Sequence, residues 1–145
     1  MSIQKISHIG IAVESLEKWI PYYRDTLGLS FLGKEFVASE KVQVAFFQIG
    51  ESRLELLEPT DDSSPIAKHL QTRGEGFHHI AYEVDDITKS LSDLEQKGVS
   101  LIHKKPKRGA HQSQIAFLHP SSTGKILTEL CQSQSREDLA DAEKN

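Results

Sequence analysis

Apolar and polar residues follow two different spacings near the start of the chain. Residues 8–13 alternate between large apolar side chains and small or polar ones, which is the two-residue period of a β-strand with two distinct faces. The apolar residues within 16–27 recur instead at helical spacing, with Ser15 as a suitable N-cap and Gly28 as the stop. Pro21 falls inside this helix and predicts a kink, because proline removes a backbone donor.

The same pattern occurs a second time further along the chain. His79 follows His8 by 79 − 8 = 71 positions, and Glu129 follows Glu55 by 129 − 55 = 74 positions. A repeat with this small drift indicates one structural motif used twice, with loops of slightly different length. Since three short strands are expected after each helix, the sequence predicts an α+β fold of two tandem βαβββ modules.

The length of 145 residues suits one domain, which we expect to cover 1–131. Its first module should span about 5–58 and its second about 76–131. A linker helix is predicted at about 64–74, because a serine cap and a proline begin this segment and a glycine ends it. The remaining segment, 132–145, is polar, and we expect it to be a disordered tail.

Composition narrows the classes of function. The single cysteine, Cys131, excludes an internal disulfide and favours a cytoplasmic location. The formal net charge of −4 argues against nucleic acid as a partner. The sequence has neither an apolar stretch of roughly 20 residues nor the apolar run of a signal peptide, so no membrane association is expected.

The repeat also singles out four polar residues. Each copy has one histidine in its first strand, His8 and His79, and one glutamate in its last strand, Glu55 and Glu129. A carboxylate among apolar neighbours is costly unless it is paired, protonated or bound to a metal. If the copies pack around a pseudo-two-fold axis, the four side chains converge, and they suit Co, Ni, Mn or Zn. The alternative is that the histidines form hydrogen bonds in the core and the glutamates face water.

The other histidines are interpreted as structural or solvent-exposed. His78 should point to the face opposite His79, because neighbouring residues of a strand alternate. His111 lies on a predicted loop and could enter a site. The rest are placed on the polar side of the linker helix or beside strand ends, and they are His69, His103 and His119.

Several segments resemble the vicinal oxygen chelate superfamily, and within it the methylmalonyl-CoA epimerase branch. The resemblance runs from about Ile6 to Gln132. It is carried by HIGIAV at 8–13, YRDTLGL at 23–29, LELLEP at 54–59, SPIAK at 64–68, GFHHIA at 76–81, VDDI at 84–87 and IAFLHP at 115–120. The LELLEP and FLHP motifs point to the epimerase branch, whereas the first two segments indicate only the superfamily.

The resemblance implies a glyoxalase/bleomycin resistance-like fold, in which curved mixed sheets surround a metal cleft. It also implies that His8, Glu55, His79 and Glu129 bind the divalent ion. Some epimerases have a separate glutamate that acts as a base in the strand near Val44. Because Val44 is apolar, that base is missing from its expected position, and the resemblance does not identify the second proton carrier.

The activity implied by the resemblance is epimerisation of methylmalonyl-CoA, a CoA thioester, by removal of the proton alpha to the thioester carbonyl. Glu129 is the preferred proton carrier, and Glu55 is the partner on the opposite face. The basic run Lys104–Arg108 either holds the phosphates of coenzyme A or is a solvated loop.

Three alternatives share the predicted fold. An extradiol dioxygenase would use two histidines and one carboxylate on iron, and the fourth predicted ligand counts against it. A glyoxalase I-type lactoylglutathione lyase would use the same four ligands, but the segment after Glu55 differs from the ending expected in those lyases. A drug-binding protein of the bleomycin resistance type would use the cleft as an apolar pocket without needing all four ligands. In each case open sheet edges favour a homodimer.

Overall fold

The computed structural model describes residues 1–134. The first module has strand β1 at Ile3–Ala12, helix α1 at Leu16–Pro21, and strands β2 at Ser30–Val37, β3 at Val42–Ile49 and β4 at Ser52–Pro59. Helix α2 at Pro65–Arg73 connects the modules. The second module has β5 at Gly76–Val84, α3 at Ile87–Gln96, β6 at Lys107–Arg108, β7 at Gln114–Leu118 and β8 at Thr128–Gln132. The predicted βαβββ order therefore occurs twice.

Within the described residues, the eight strands form one curled mixed sheet with the order β2-β3-β4-β1-β5-β8-β7-β6. The first strand of each module pairs in parallel with the last strand of the same module, β1 with β4 and β5 with β8. The two modules join at the centre, where β1 and β5 are antiparallel. This arrangement confirms the predicted fold and brings the strands that carry the four candidate ligands, β4, β1, β5 and β8, side by side.

Helices α1 and α3 pack on one face of the sheet, and the cleft lies on the other. In the first module, Leu16 and Ile20 of α1 are buried with Phe47 of β3. In the second module, Ile87 and Leu91 of α3 are buried in the corresponding cluster. Burial of a large apolar side chain stabilises the fold by roughly 1.5–3 kcal/mol. The packing of these helices therefore stabilises the outer face of each module.

A third cluster lies on the inner face, beneath α2. It contains Ala12, Val42, Val44, Phe46, Leu57 and Ile66. Ser64 caps α2 by accepting a hydrogen bond from the Ile66 N–H, Pro65 occupies the first turn, and Gly74 follows the last residue. These are the start and stop signals expected from the sequence.

The helix predicted from Ser15 changes type at the proline. The α-helix ends at Pro21, and Tyr22–Thr26 continues with wider π-helical turns, in which the Leu27 N–H donates to the Tyr22 carbonyl at 2.9 Å. Because Pro21 has no N–H, the ordinary ladder cannot continue through it. The predicted kink thus takes the form of a π-helical segment.

Strand β8 ends at Gln132, which lies at the start of the predicted polar tail. Residues 135–145 of that tail lie outside the described residues. Within residues 1–134, no helix is long and apolar enough to cross a membrane.

Candidate metal centre

Three of the four predicted ligands meet at one point inside the sheet. His8 lies on β1, His79 on β5 and Glu129 on β8, and each residue is at most 5% exposed. The Nε2 atoms of the two histidines are 3.1 Å apart. Glu129 Oε2 lies 2.8 Å from His8 Nε2 and 3.2 Å from His79 Nε2. The strand order places the three residues because β5 lies between β1 and β8.

The side chains of His8, His79 and Glu129 form a triangle, and their charges stabilise one another. Burial raises the pKa of Glu129, but the rings of His8 and His79 outweigh burial and hold that pKa well below its usual range. Burial lowers the pKa of His8, whereas the charges of Glu55 and Glu129 raise it, and the net result is a pKa above the ordinary 6.5. The site therefore favours an ionised carboxylate beside an imidazole that readily takes a positive charge.

The donor atoms have the spacing that a small divalent ion requires. Ligands at right angles, each about 2.1 Å from an ion, are about 3.0 Å from each other. The observed separations among the two Nε2 atoms and Glu129 Oε2 are 2.8–3.2 Å. Among the described residues, Glu129 Oε2 is buried without a partner in hydrogen-bonding geometry, and these atoms belong to the group able to hold a metal ion. The residues present fit a divalent cation.

Glu55, the fourth predicted ligand, lies beside this group rather than within it. Its Oε2 atom is 3.2 Å from Nδ1 of His8, the ring nitrogen that does not face the triangle. It also accepts a hydrogen bond from Nη2 of Arg53 at 3.3 Å. Ligation by Glu55 stays a prediction, and in this conformation the carboxylate holds the outer side of the His8 ring.

His78 lies where the sequence interpretation did not place it. The β1–β5 register pairs Gly10 with His79 and Ile11 with Phe77, so it skips His78 at a β-bulge. As a result His78 lines the same cleft as His79, and their Nδ1 atoms are 2.9 Å apart. Burial lowers the pKa of His78 to about 3, with smaller contributions from His79 and His69. The prediction that His78 faces away from His79 was wrong.

A mostly apolar cleft opens over the triangle. Its empty volume is about 620 Å³ with the open mouth included. The apolar part of its wall is formed by Val37, Val42, Val44, Leu57, Pro65, Ile66, Ile115 and Phe117. The cleft therefore offers a substrate an apolar wall and a polar end where His8, His79 and Glu129 meet.

Glu40 also lines this cleft, and the sequence analysis missed it. The turn Ala38–Glu40 lies between β2 and β3, and Nζ of Lys107 contacts Oε1 of Glu40. The resemblance placed the base at the position of Val44, four residues later, which the structure places in the apolar wall. The sequence signal that indicates Glu40 is an acidic residue in the turn before β3.

The loop after β6 lies at the edge of the cleft. Gly109 and Ala110 line the cleft, whereas the ring of His111 packs against Phe46 with ring centres 4.3 Å apart. His111 and Gln112 both have left-handed backbone conformations, with φ of 54° and 59°. Such conformations are uncommon for residues with side chains, and they turn the His111 ring onto Phe46 rather than toward the triangle.

Comparison with known proteins identifies the class. Residues 7–117 match the model of the Glyoxalase/Bleomycin resistance protein/Dioxygenase superfamily. The chain belongs to this superfamily.

Particular relatives are more informative. The chain is 36% identical to methylmalonyl-CoA epimerase, mitochondrial, of Homo sapiens, over 89% of this chain and 74% of that protein. It is 42% identical to the uncharacterized protein YqjC of Bacillus subtilis, over 90% of this chain and 93% of that protein. The crystal structure of methylmalonyl-CoA epimerase from Mycobacterium tuberculosis superposes with a TM-score of 0.90 at 32% identity, covering 96% and 93% of the two chains. The predicted resemblance to these epimerases is confirmed, and with it the prediction of an epimerase-like isomerase.

Proposed function

We propose that this chain is a metal-dependent epimerase that acts on methylmalonyl-CoA. The observation that carries the proposal is the convergence of His8, His79 and Glu129, with donor atoms 2.8–3.2 Å apart at the polar end of an apolar cleft. The relatives named as methylmalonyl-CoA epimerases support this choice of substrate. The three residues would hold Co, Mn, Ni or Zn, and Glu55 would be the fourth ligand.

When bound, the divalent ion would act as a Lewis acid that stabilises negative charge on the thioester oxygen. The protein's own contribution begins with the apolar wall, which includes Val44, Leu57 and Ile66. This wall excludes water from the reacting carbon, so charges in the cleft interact more strongly than they would in solvent.

Inversion of the carbon requires a proton carrier on each of its faces. The sequence analysis predicts Glu129 as one carrier and Glu55 as the other. We propose Glu40 ahead of Glu55, because Glu55 lies against His8 and is itself a proposed metal ligand, whereas Glu40, which contacts Lys107, is not. Glu40 lines the cleft from the first module, whereas Glu129 belongs to β8 of the second. A carboxylate that does not bind the metal is also a stronger base than one that does.

The proposed substrate carries phosphates, and the basic run Lys104–Arg108 is our candidate for their contact in an otherwise acidic chain. Lys107 contacts Glu40 and so connects this run to the mouth of the cleft. We propose a cytoplasmic enzyme, on the basis of its single cysteine, Cys131, which is buried and free.

The test compares two substrates with protein loaded with cobalt or manganese. We expect conversion of one epimer of methylmalonyl-CoA to the other, and far slower formation of lactoylglutathione from the glutathione adduct of methylglyoxal. Rapid formation of lactoylglutathione without conversion of the CoA ester would contradict the proposal and favour a glyoxalase I-type lyase. If the protein binds no metal, the result would favour the alternative of a drug-binding protein.

The role of Glu40 is tested in the same assay. Glu40→Gln should lower kcat by about 10²–10⁴-fold, the usual contribution of a positioned acid or base, while metal affinity is unchanged. Glu51→Gln is the matched control, because Glu51 is exposed in the turn between β3 and β4. Full activity of the Glu40→Gln enzyme would contradict this role for Glu40 and favour Glu55 as the second proton carrier.

A further inference from the structure

His78 occupies a position that a regular strand would not give it. Successive side chains of a strand point to opposite faces, so His78 and His79 should be separated by the sheet. The bulge that skips His78 in the β1–β5 register removes this alternation. It brings both rings into the cleft with an angle of 90° between their planes and 2.9 Å between their Nδ1 atoms.

The contact between the rings is a hydrogen bond with one donor and one acceptor. His79 directs Nε2 toward His8 and Glu129, at 3.1 Å and 3.2 Å. An imidazole that binds a metal through Nε2 keeps its proton on Nδ1, and that proton needs an acceptor. In this structure the atom placed to accept it is Nδ1 of His78.

The surroundings of His79 leave few other ways to fix its ring. One side of the ring lies over Gly10, where an added Cβ atom would be 2.2 Å from Cε1 of His79. Phe117 contacts the ring edge-on, with ring centres 5.5 Å apart. Gly10 and Phe117 limit the tilt of the ring by packing, but neither offers an acceptor to Nδ1. The polar contact to Nδ1 comes from His78.

We propose that His78 is a positioning residue for His79. It accepts the Nδ1 proton of His79, which fixes the tautomer and turns the Nε2 lone pair toward the metal position. This inference rests on the proposed metal site. It assigns to an imidazole the role that a carboxylate, a backbone carbonyl or a water usually has beside a metal-binding histidine. The ring of His69 lies edge-on to that of His78, with ring centres 5.0 Å apart.

The first test is metal affinity, measured by competition for zinc with a chromophoric chelator. His78→Leu replaces the ring with an apolar side chain of moderate size and removes the acceptor, and we expect zinc affinity to fall about 10–100-fold. His78→Asn keeps an acceptor oxygen near the position of Nδ1, and its affinity should stay close to that of the unsubstituted protein. His69→Leu is the matched control, because it changes a neighbour of His78 that is not bonded to His79, and it should also bind normally.

The second test needs no substitution and therefore does not depend on how the variants fold. Long-range ¹H–¹⁵N spectra of the zinc-loaded protein report which nitrogen of each ring carries the proton. We expect Nδ1 of His79 to be protonated and Nδ1 of His78 to be free. A protonated Nδ1 on His78, or full zinc affinity in His78→Leu, would overturn the inference and leave the metal site standing. An unsubstituted protein that binds no zinc would remove the metal site and this inference together.

Discussion

Gly10 gives the ring of His79 the space in which it lies. A Cβ atom at this position would be 2.2 Å from Cε1 and 2.5 Å from Nδ1 of His79, which is closer than non-bonded atoms approach. Gly10→Ala must therefore displace the ring, and we expect zinc affinity to fall by about 10–100-fold, the range seen when the support of a ligand is lost. The measurement is a zinc competition titration.

Gly109→Ala is the control for this substitution. Its Cβ atom would be 2.7 Å from Cγ2 of Ile115, a residue that lines the cleft but is not a proposed ligand. This variant should keep its zinc affinity even if it loses some stability. Equal affinities for Gly10→Ala and the unsubstituted protein would show that the His79 ring is not held as described.

The pKa values of His8 and Glu129 predict how metal binding depends on pH. The pKa of His8 is raised above the ordinary 6.5, and at pH values below this raised pKa a proton competes with the metal for the ring. The pKa of Glu129 lies well below its usual range, so this carboxylate stays ionised throughout the same interval. We expect zinc affinity to fall by about tenfold for each pH unit below the raised pKa of His8, because a proton is then taken up by this ring for each ion released.

Zinc titrations at a series of pH values between about 8 and about 5 test this dependence. Affinity that stays constant through neutrality and falls only in the range where carboxylates normally titrate would contradict it. The carboxylate, rather than His8, would then control loss of the ion.

At the scale of elements, the cap of α2 is connected to the turn that carries Glu40. Ser64 Oγ accepts from the Ile66 N–H and donates to the Glu40 carbonyl, both at 3.2 Å. Ser64→Ala should lower the free energy of unfolding by about 1–2 kcal/mol and also reduce epimerase activity, because the turn loses its link to the helix. Denaturant unfolding and the epimerase assay measure the two effects.

Ser15 offers a matched control, since it caps α1 by accepting from the Lys18 N–H at 3.2 Å. Ser15→Ala should also lose about 0.5–2 kcal/mol of stability, but it should keep its activity. If both variants lose stability and neither loses activity, the link between Ser64 and the Glu40 turn has no part in catalysis.

The elements that the sequence predicted well are those with a strong local signal. Apolar spacing and the serine caps located both modules and α2, and the repeat paired His8 with His79. The β-bulge at His78 left no such signal, because a bulge changes which residues face each other without changing the alternation of residue types. Glu40 was missed for a related reason: it lies in a short turn, where periodicity carries no information about side-chain direction.

Glu55 illustrates a further limit. The repeat makes it equivalent to Glu129, and both residues are buried in the last strand of their module. Their partners differ, however, since Glu55 has Arg53 on its own strand and lies against the outer nitrogen of His8. A sequence repeat predicts equivalent backbone positions, whereas the side-chain conformation depends on neighbours that the two copies do not share.

At the scale of the whole molecule, β2 forms one edge of the sheet. Leu32 and Phe36 of this strand are 51% and 55% exposed. An exposed edge with apolar side chains is a site for pairing with another chain, and we expect two copies to associate there. Sedimentation should give a dimer, and Phe36→Lys should shift it toward monomer.

Leu27→Lys serves as the control for the dimer, because Leu27 is also 51% exposed but lies after the π-helical segment rather than on β2. It should sediment as the unsubstituted protein does. A monomer at every concentration would remove the dimer prediction without affecting the cleft.

The central claim is that His8, His79 and Glu129 hold a divalent ion that makes the alpha proton of methylmalonyl-CoA removable. The most direct measurement is deuterium incorporation at that carbon in D₂O, followed by NMR, with metal-stripped protein before and after addition of cobalt. We expect negligible exchange in the stripped protein, rapid exchange with epimerisation after cobalt is added, and no recovery in His79→Ala. Equal exchange with and without cobalt, or no exchange in protein shown to bind cobalt, would contradict this role of the metal centre.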